Sequence, residues 1–134
     1  MKINSTGMKI LTGFYVIVLV VIILVANRRS TRYLLDFIGN VPYGDKLGHF
    51  FLMGILSFLI NLLLQSRTVG FGKLRYLLGS LLVLVVVSIE ECSQMFIRGR
   101  TFDWGDLAAD FAGIIIFGEI ARLICRKFFV SQQV

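Results

Sequence analysis

Apolar residues in this chain fall into four long blocks separated by short polar segments. The first, Ile10 to Ala26, holds no charge and is rich in Val, Ile and Leu. At about 1.5 Å per residue it covers about 25 Å as a helix, a short but workable span. The second block runs from about Leu47 to Leu64, the third from about Leu74 to Ile97 and the fourth from about Gly105 to Ile124. Such lengths predict helices and not strands. Pro42 and Gly44 punctuate the chain before the second block, Gly70 and Gly72 before the third, and Gly99 to Gly105 before the fourth. Only the first loop, Asn27 to Gly44, is long enough for structure of its own. Its Tyr33, Leu34, Leu35, Phe37 and Ile38 suit a short turn in the headgroup layer beside Arg28, Arg29 and Arg32. The pattern predicts an all-α membrane protein, with four transmembrane helices in an up-down bundle forming one domain over residues 1–134.

Composition supports membrane over water as the solvent. Hydrophobic residues make up 57% of the chain, above the roughly 45–50% of soluble domains. Lys2 and Lys9 ahead of the first block would suit a cleaved signal peptide, but its exit through Val25, Ala26, Asn27, Arg28 and Arg29 carries no small-x-small cleavage site. A retained anchor is expected. The net charge of +6 comes from basic residues set between apolar blocks, so anionic lipid headgroups, and not nucleic acid, are the expected counterpart. Cys92 and Cys125 lie near opposite ends of predicted spans and should not pair. Gly105, Ala109 and Gly113 recur every four residues, the spacing that lets another helix backbone come close.

Charge also orients the chain. Eight of the 14 Lys and Arg residues lie at the termini and in the second loop, and six lie on the other side. Three of those six, Lys46, Arg98 and Arg100, sit beside acidic residues and suit a site. Setting them aside leaves eight against three, which places both termini in the cytoplasm. Of the acidic residues only Glu119 falls toward the cytoplasmic end; the other seven belong to the outer loops or the helix ends that meet them.

In an up-down bundle the start of the second helix, the end of the third and the start of the fourth become neighbours. Asp45 and His49 share a face of the second helix, with Lys46 between them; Glu90 and Glu91 stand four and three residues before Gln94; Asp103, Asp106 and Asp110 share a face of the fourth. Glu90 and Glu91 interrupt an apolar helix about 10 Å from its outer end, where an unpaired carboxylate costs several kcal/mol. The partners within reach are His49, Lys46, Arg98, Arg100 or a metal ion. Two helix N-termini point into the same region and, with Lys46, Arg98 and Arg100, suit a phosphate. Asp103, Thr101 and Asp45 also suit plain helix caps. Trp104 reads as an interfacial aromatic, and Asn61 and Gln65 as caps or interhelical bonds.

Three segments together resemble the VanZ-like family: Asp45-Lys46-Leu47-Gly48-His49-Phe50, then Glu90-Glu91-Cys92-Ser93-Gln94, then Arg100-Thr101-Phe102-Asp103-Trp104-Gly105-Asp106 followed by Asp110 and Gly113. The resemblance covers roughly residues 40–118 and is specific as an ordered set. Asp110 departs from it, since many relatives carry Asn there. The resemblance implies a multi-pass protein of the bacterial cytoplasmic membrane with its polar site toward the outer leaflet, linked to teicoplanin and glycopeptide resistance. Its implied partner is a membrane lipid or lipid-linked envelope precursor.

Three functions fit these residues. The first is an enzyme that transfers or hydrolyses a phosphate-linked lipid headgroup. His49, Glu90, Glu91 and Asp106 would carry the chemistry, alone or around a divalent metal, with Asp45, Lys46, Gln94, Arg98, Arg100, Asp103 and Asp110 binding substrate. The second is a non-catalytic factor whose ionic network only ties helices together. The third is a proton-coupled carrier, which four short helices would manage as an oligomer.

Overall fold

The computed structural model describes residues 5–28, 41–97 and 102–130. These are mostly helical, with four helices among the described residues. Helix α1 covers Ser5–Asn27, α2 Gly44–Leu63, α3 Leu78–Gln94 and α4 Trp104–Val130; strands β1, Thr68–Phe71, and β2, Leu74–Leu77, lie between α2 and α3. Two helices, over Thr6–Asn27 and Gly44–Leu63, are long and apolar enough to cross a membrane. The interfacial turn expected around Tyr33 to Ile38 lies outside the described residues.

The β-hairpin corrects the all-α expectation and the start of the third helix. Leu74 to Leu77 pair antiparallel with Thr68 to Phe71, in the register Val69 with Tyr76 and Phe71 with Leu74. The two-residue connection begins with Gly72 at φ +62°, the left-handed position that tight hairpin turns assign to glycine. A run of four residues containing Arg75 and Tyr76 is too short for periodicity to distinguish strand from helix, and the cross-strand partners decide it. The third helix therefore starts at Leu78 and ends at Gln94, not Ile97. The fourth runs on to Val130, past the expected end at Ile124. Arg126 and Lys127 near that terminus suit the negative end of a helix.

Contacts fix the relative directions of three helices. Lys46 meets Asp106, His49 meets Asp110, and Ser57 donates to the Ile114 carbonyl, so α2 and α4 run the same way. Ser80 near the start of α3 bonds Ser57 and Asn61, while Glu91 near its end accepts from the amide of Asp103; α3 is thus antiparallel to both. The pair α2 and α4 forms the most extensive interface. It closes tightly because Gly113 lies directly on the Phe50 backbone, where a Cβ would collide with the Phe50 carbonyl. Phe50, Phe51 and Phe117 stack edge-on beside it.

All four helices contribute to one apolar centre of Leu19, Met53, Val83, Val87 and Ile114. Helix α1 joins it through Leu19 and through Tyr15, whose hydroxyl donates to the Leu52 carbonyl at 2.9 Å. Its opposite face of Ile10, Phe14, Ile17, Val21 and Leu24 is exposed. At the other end from the acidic residues, Ser57, Asn61 and Ser80 form a buried polar knot, with Asn61 donating to the Ser57 carbonyl and the Ser80 hydroxyl, both at 2.9 Å. The interhelical role expected of Asn61 holds. Both cysteines are free, Cys92 exposed and Cys125 buried.

Candidate functional site

The first two turns of α2 place Asp45, Lys46 and His49 against the first turns of α4. Lys46 Nζ lies 3.0 Å from Asp103 Oδ2 and 3.0 Å from Asp106 Oδ1. Gly105 makes this approach possible, since a Cβ there would stand 2.5 Å from Lys46 Cε and 2.9 Å from Nζ. Its role at the site is one that a small-residue packing pattern alone does not reveal; the signal is its place inside Asp103-Trp104-Gly105-Asp106. Asp103 also caps α4, its Oδ1 accepting from the Gly105 amide at 2.6 Å. The Lys46 ammonium first, and then the Gly105 amide, hold the Asp103 carboxyl below its usual range.

Asp45 does not cap α2. The residue before that helix is Tyr43, in the left-handed conformation with no side-chain cap bond, and Asp45 sits exposed in the first turn. One turn on, His49 Nδ1 lies 3.1 and 3.2 Å from the two oxygens of Asp110, so the ring donates this N–H to a carboxylate that is only 1% exposed. That bond fixes the tautomer and leaves Nε2 turned toward Asp106, 3.8 Å from Oδ2. Asp45, His49 and Asp106 each offer one ligand atom, all within 4.8 Å of one another. One nitrogen and two carboxylate oxygens suit Mg²⁺, Mn²⁺ or Zn²⁺, and a carboxylate bound behind the histidine is the usual support for such a ligand.

Helix α3 supplies the floor. Glu91 is 1% exposed, and its Oε1 accepts from the backbone amide of Asp103 at 3.0 Å. Its second oxygen is buried with no hydrogen-bond partner among the described residues. The neighbouring Glu90 turns away and takes the Gln94 amide through both oxygens, at 3.1 and 3.0 Å. Of the pair, it is Glu91 that reaches α4. Arg98 and Arg100 lie outside the described residues, as does Thr101. Trp104 is exposed, its ring edge-on to Phe102.

The sign of the cluster changes what it can hold. Among the described residues Asp45, Asp103, Asp106, Asp110 and Glu91 gather round Lys46 and His49, and Lys46 already serves two of them. An anion approaching Lys46 meets carboxylates; a cation approaching Asp45, His49 and Asp106 meets ligands. Comparison with protein-family models, with curated proteins and with solved structures gives no match.

Proposed function

We propose that this chain is a VanZ-like protein of the bacterial cytoplasmic membrane that crosses it four times. Both termini would lie in the cytoplasm and the His49 cluster would face the outer leaflet. Helices α3 and α4 support four crossings by what they expose. Leu82, Val85, Val86 and Ile89 on α3, and Phe111, Ile115 and Ile116 on α4, form aliphatic faces that water would not favour. Helix α4 holds an uncharged stretch from Phe111 to Gly118 between Asp110 in the site and Glu119, whose carboxylate is paired with Arg122 at 2.7 Å. At about 1.5 Å per residue, the 17 residues of α3 reach about 26 Å, within the range of a short span.

The activity proposed for the site is transfer or hydrolysis of a phosphate-linked headgroup of a membrane lipid or lipid-linked envelope precursor, in connection with glycopeptide resistance. The observation that carries it is the single histidine, held by buried Asp110 through one nitrogen while the other faces Asp106 and Asp45. Asp110 orients the ring and stabilises it when charged, and Nε2 is the atom left to move a proton or to ligate. A divalent ion on Asp45, His49 and Asp106 would reconcile an acidic cluster with an anionic phosphate substrate.

One observation favours the non-catalytic reading. Lys46 bridging Asp103 and Asp106, and Glu91 on the Asp103 amide, tie α2 and α3 to α4 without any substrate. The variant His49→Asn separates the two readings, because its amide can still donate to Asp110 but has no second ring nitrogen. Bacteria expressing the wild-type chain should survive teicoplanin, and those expressing His49→Asn should not, at equal expression and equal melting temperature in detergent. Survival of the variant would leave the network as scaffolding. Calorimetric titration of the purified protein with Mn²⁺ or Zn²⁺ should show one site that Asp106→Ala removes.

A further inference from the structure

The hairpin between α2 and α3 carries a two-faced pattern that packing inside the molecule does not use. Its register places Val69, Phe71, Leu74 and Tyr76 on one face, and the Phe71 and Tyr76 rings, 6.3 Å apart, confirm that they share it. Phe71 is 67% exposed and Leu74 61%, while Leu77, on the other face, is buried against the bundle. Exposed Arg67 precedes β1, exposed Lys73 sits in the turn and exposed Arg75, paired with Gly70, stands on the opposite face; no acidic residue occurs in the sequence between Asp45 and Glu90.

We infer that the hairpin is a membrane-surface anchor: Val69, Phe71, Leu74 and Tyr76 enter the headgroup layer of the leaflet opposite the His49 cluster, and Arg67, Lys73 and Arg75 bind anionic lipid phosphates. The occupant follows from three features. The hairpin leaves α2 at its end remote from the acidic cluster, which is where a bilayer surface falls if α2 and α3 cross it. An aromatic pair beside an aliphatic residue is the composition that settles at a membrane interface, with the Tyr hydroxyl left in the polar layer. Three cations in a segment with no acid of its own match an anionic lipid surface, and Glu119, the carboxylate toward this end of the bundle, is already paired with Arg122; a protein partner would be expected to meet some opposing charge. The outward-facing backbone groups of a two-stranded ladder need water, which places the hairpin in the hydrated headgroup layer and not in the hydrocarbon. The inference rests on the proposed spans and adds that the short cytoplasmic connection is itself a lipid-binding element.

The test uses the full chain with Phe71→Trp in a Trp104→Phe background, so that one indole reports from the hairpin. The protein is reconstituted into vesicles of phosphatidylcholine alone, or of phosphatidylcholine with phosphatidylglycerol. The expected result is blue-shifted emission, protection from acrylamide, and quenching by lipids brominated high on their acyl chains. All three should be stronger in the anionic vesicles and reduced by Lys73→Glu with Arg75→Glu. An indole open to acrylamide and untouched by brominated lipid in both vesicle types overturns the inference. So does equal quenching in the two compositions, and so does protection without lipid quenching, which would mean a protein surface covers the face. Resistance of the chain to alkaline carbonate extraction tests the spans separately: retention in the vesicles together with a water-exposed indole refutes the anchor alone, while extraction refutes both.

Discussion

Glu91 offers the sharpest test of whether the acidic cluster exists for stability or at its expense. Removing the side chain with Glu91→Ala takes the acceptor from the Asp103 amide, a hydrogen bond to a charged group that contributes about 1.5–3 kcal/mol. It also opens space in a site that is only 1% exposed, so a total loss of about 2–4 kcal/mol follows. Glu91→Gln behaves differently. The amide oxygen can replace Oε1 at the Asp103 N–H, and the other oxygen, buried with no partner among the described residues, gives way to a neutral group that is less costly to bury. The expected change for Gln is between zero and a gain of about 1 kcal/mol. For a chain of 134 residues, a kcal/mol moves the melting temperature by about 3–5 °C on soluble-domain scaling. Circular dichroism in detergent micelles should therefore place Glu91→Ala roughly 6–20 °C below wild type and Glu91→Gln level with it or above. If Glu91→Gln falls as far as Glu91→Ala, the second oxygen has a stabilising partner and the idea of a carboxylate kept for function is wrong.

Further outcomes follow from other contacts. Gly113→Ala pushes α2 from α4 at the Phe50 carbonyl; overpacking of this kind costs about 1–3 kcal/mol, read as a lower melting temperature in detergent. Asp103 gives a pH dependence whose sign is fixed: its folded carboxyl ionises below the ordinary value of 3.8, so its contribution is complete above that pH and is lost as the pH falls through the depressed value. Melting scans from about pH 5 down to about pH 2 should show this acid-side loss in the wild type and a smaller one in Asp103→Asn. Asn61→Leu removes one interhelical hydrogen bond, to Ser80, and one within α2, to Ser57; at about 0.6 kcal/mol for an average interhelical bond in a membrane, a small loss of stability with unchanged metal binding is expected.

Much of the helical pattern was legible because uncharged apolar runs of this length admit few alternatives. The end of α1 falls within one residue of the expected Ala26, and α2 within a few residues of its expected limits. The hairpin was not legible: Leu74 to Leu77 continue an apolar block, and only their pairing with Thr68 to Phe71 reveals a strand. At the site, spacing of three and four residues placed Asp45 with His49 and Asp106 with Asp110 correctly, since helical geometry enforces it. Spacing could not choose between Glu90 and Glu91, which lie about 100° apart on the helix; packing of α3 turns Glu91 inward and leaves Glu90 to Gln94. Nor does a sequence pattern reveal a backbone partner such as the Asp103 amide.

The parallel pairing of α2 with α4 also bears on biogenesis. A ribosome delivers Lys46 and His49 well before Asp103, Asp106 and Asp110 have been synthesised, so their counter-charges are missing while α2 and α3 first associate. The Ser57, Asn61 and Ser80 knot holds that nascent helical pair without help from charge. Docking of α4 then completes the electrostatics in one step, and a chain arrested before Trp104 leaves Lys46 and His49 without the carboxylates of Asp106 and Asp110.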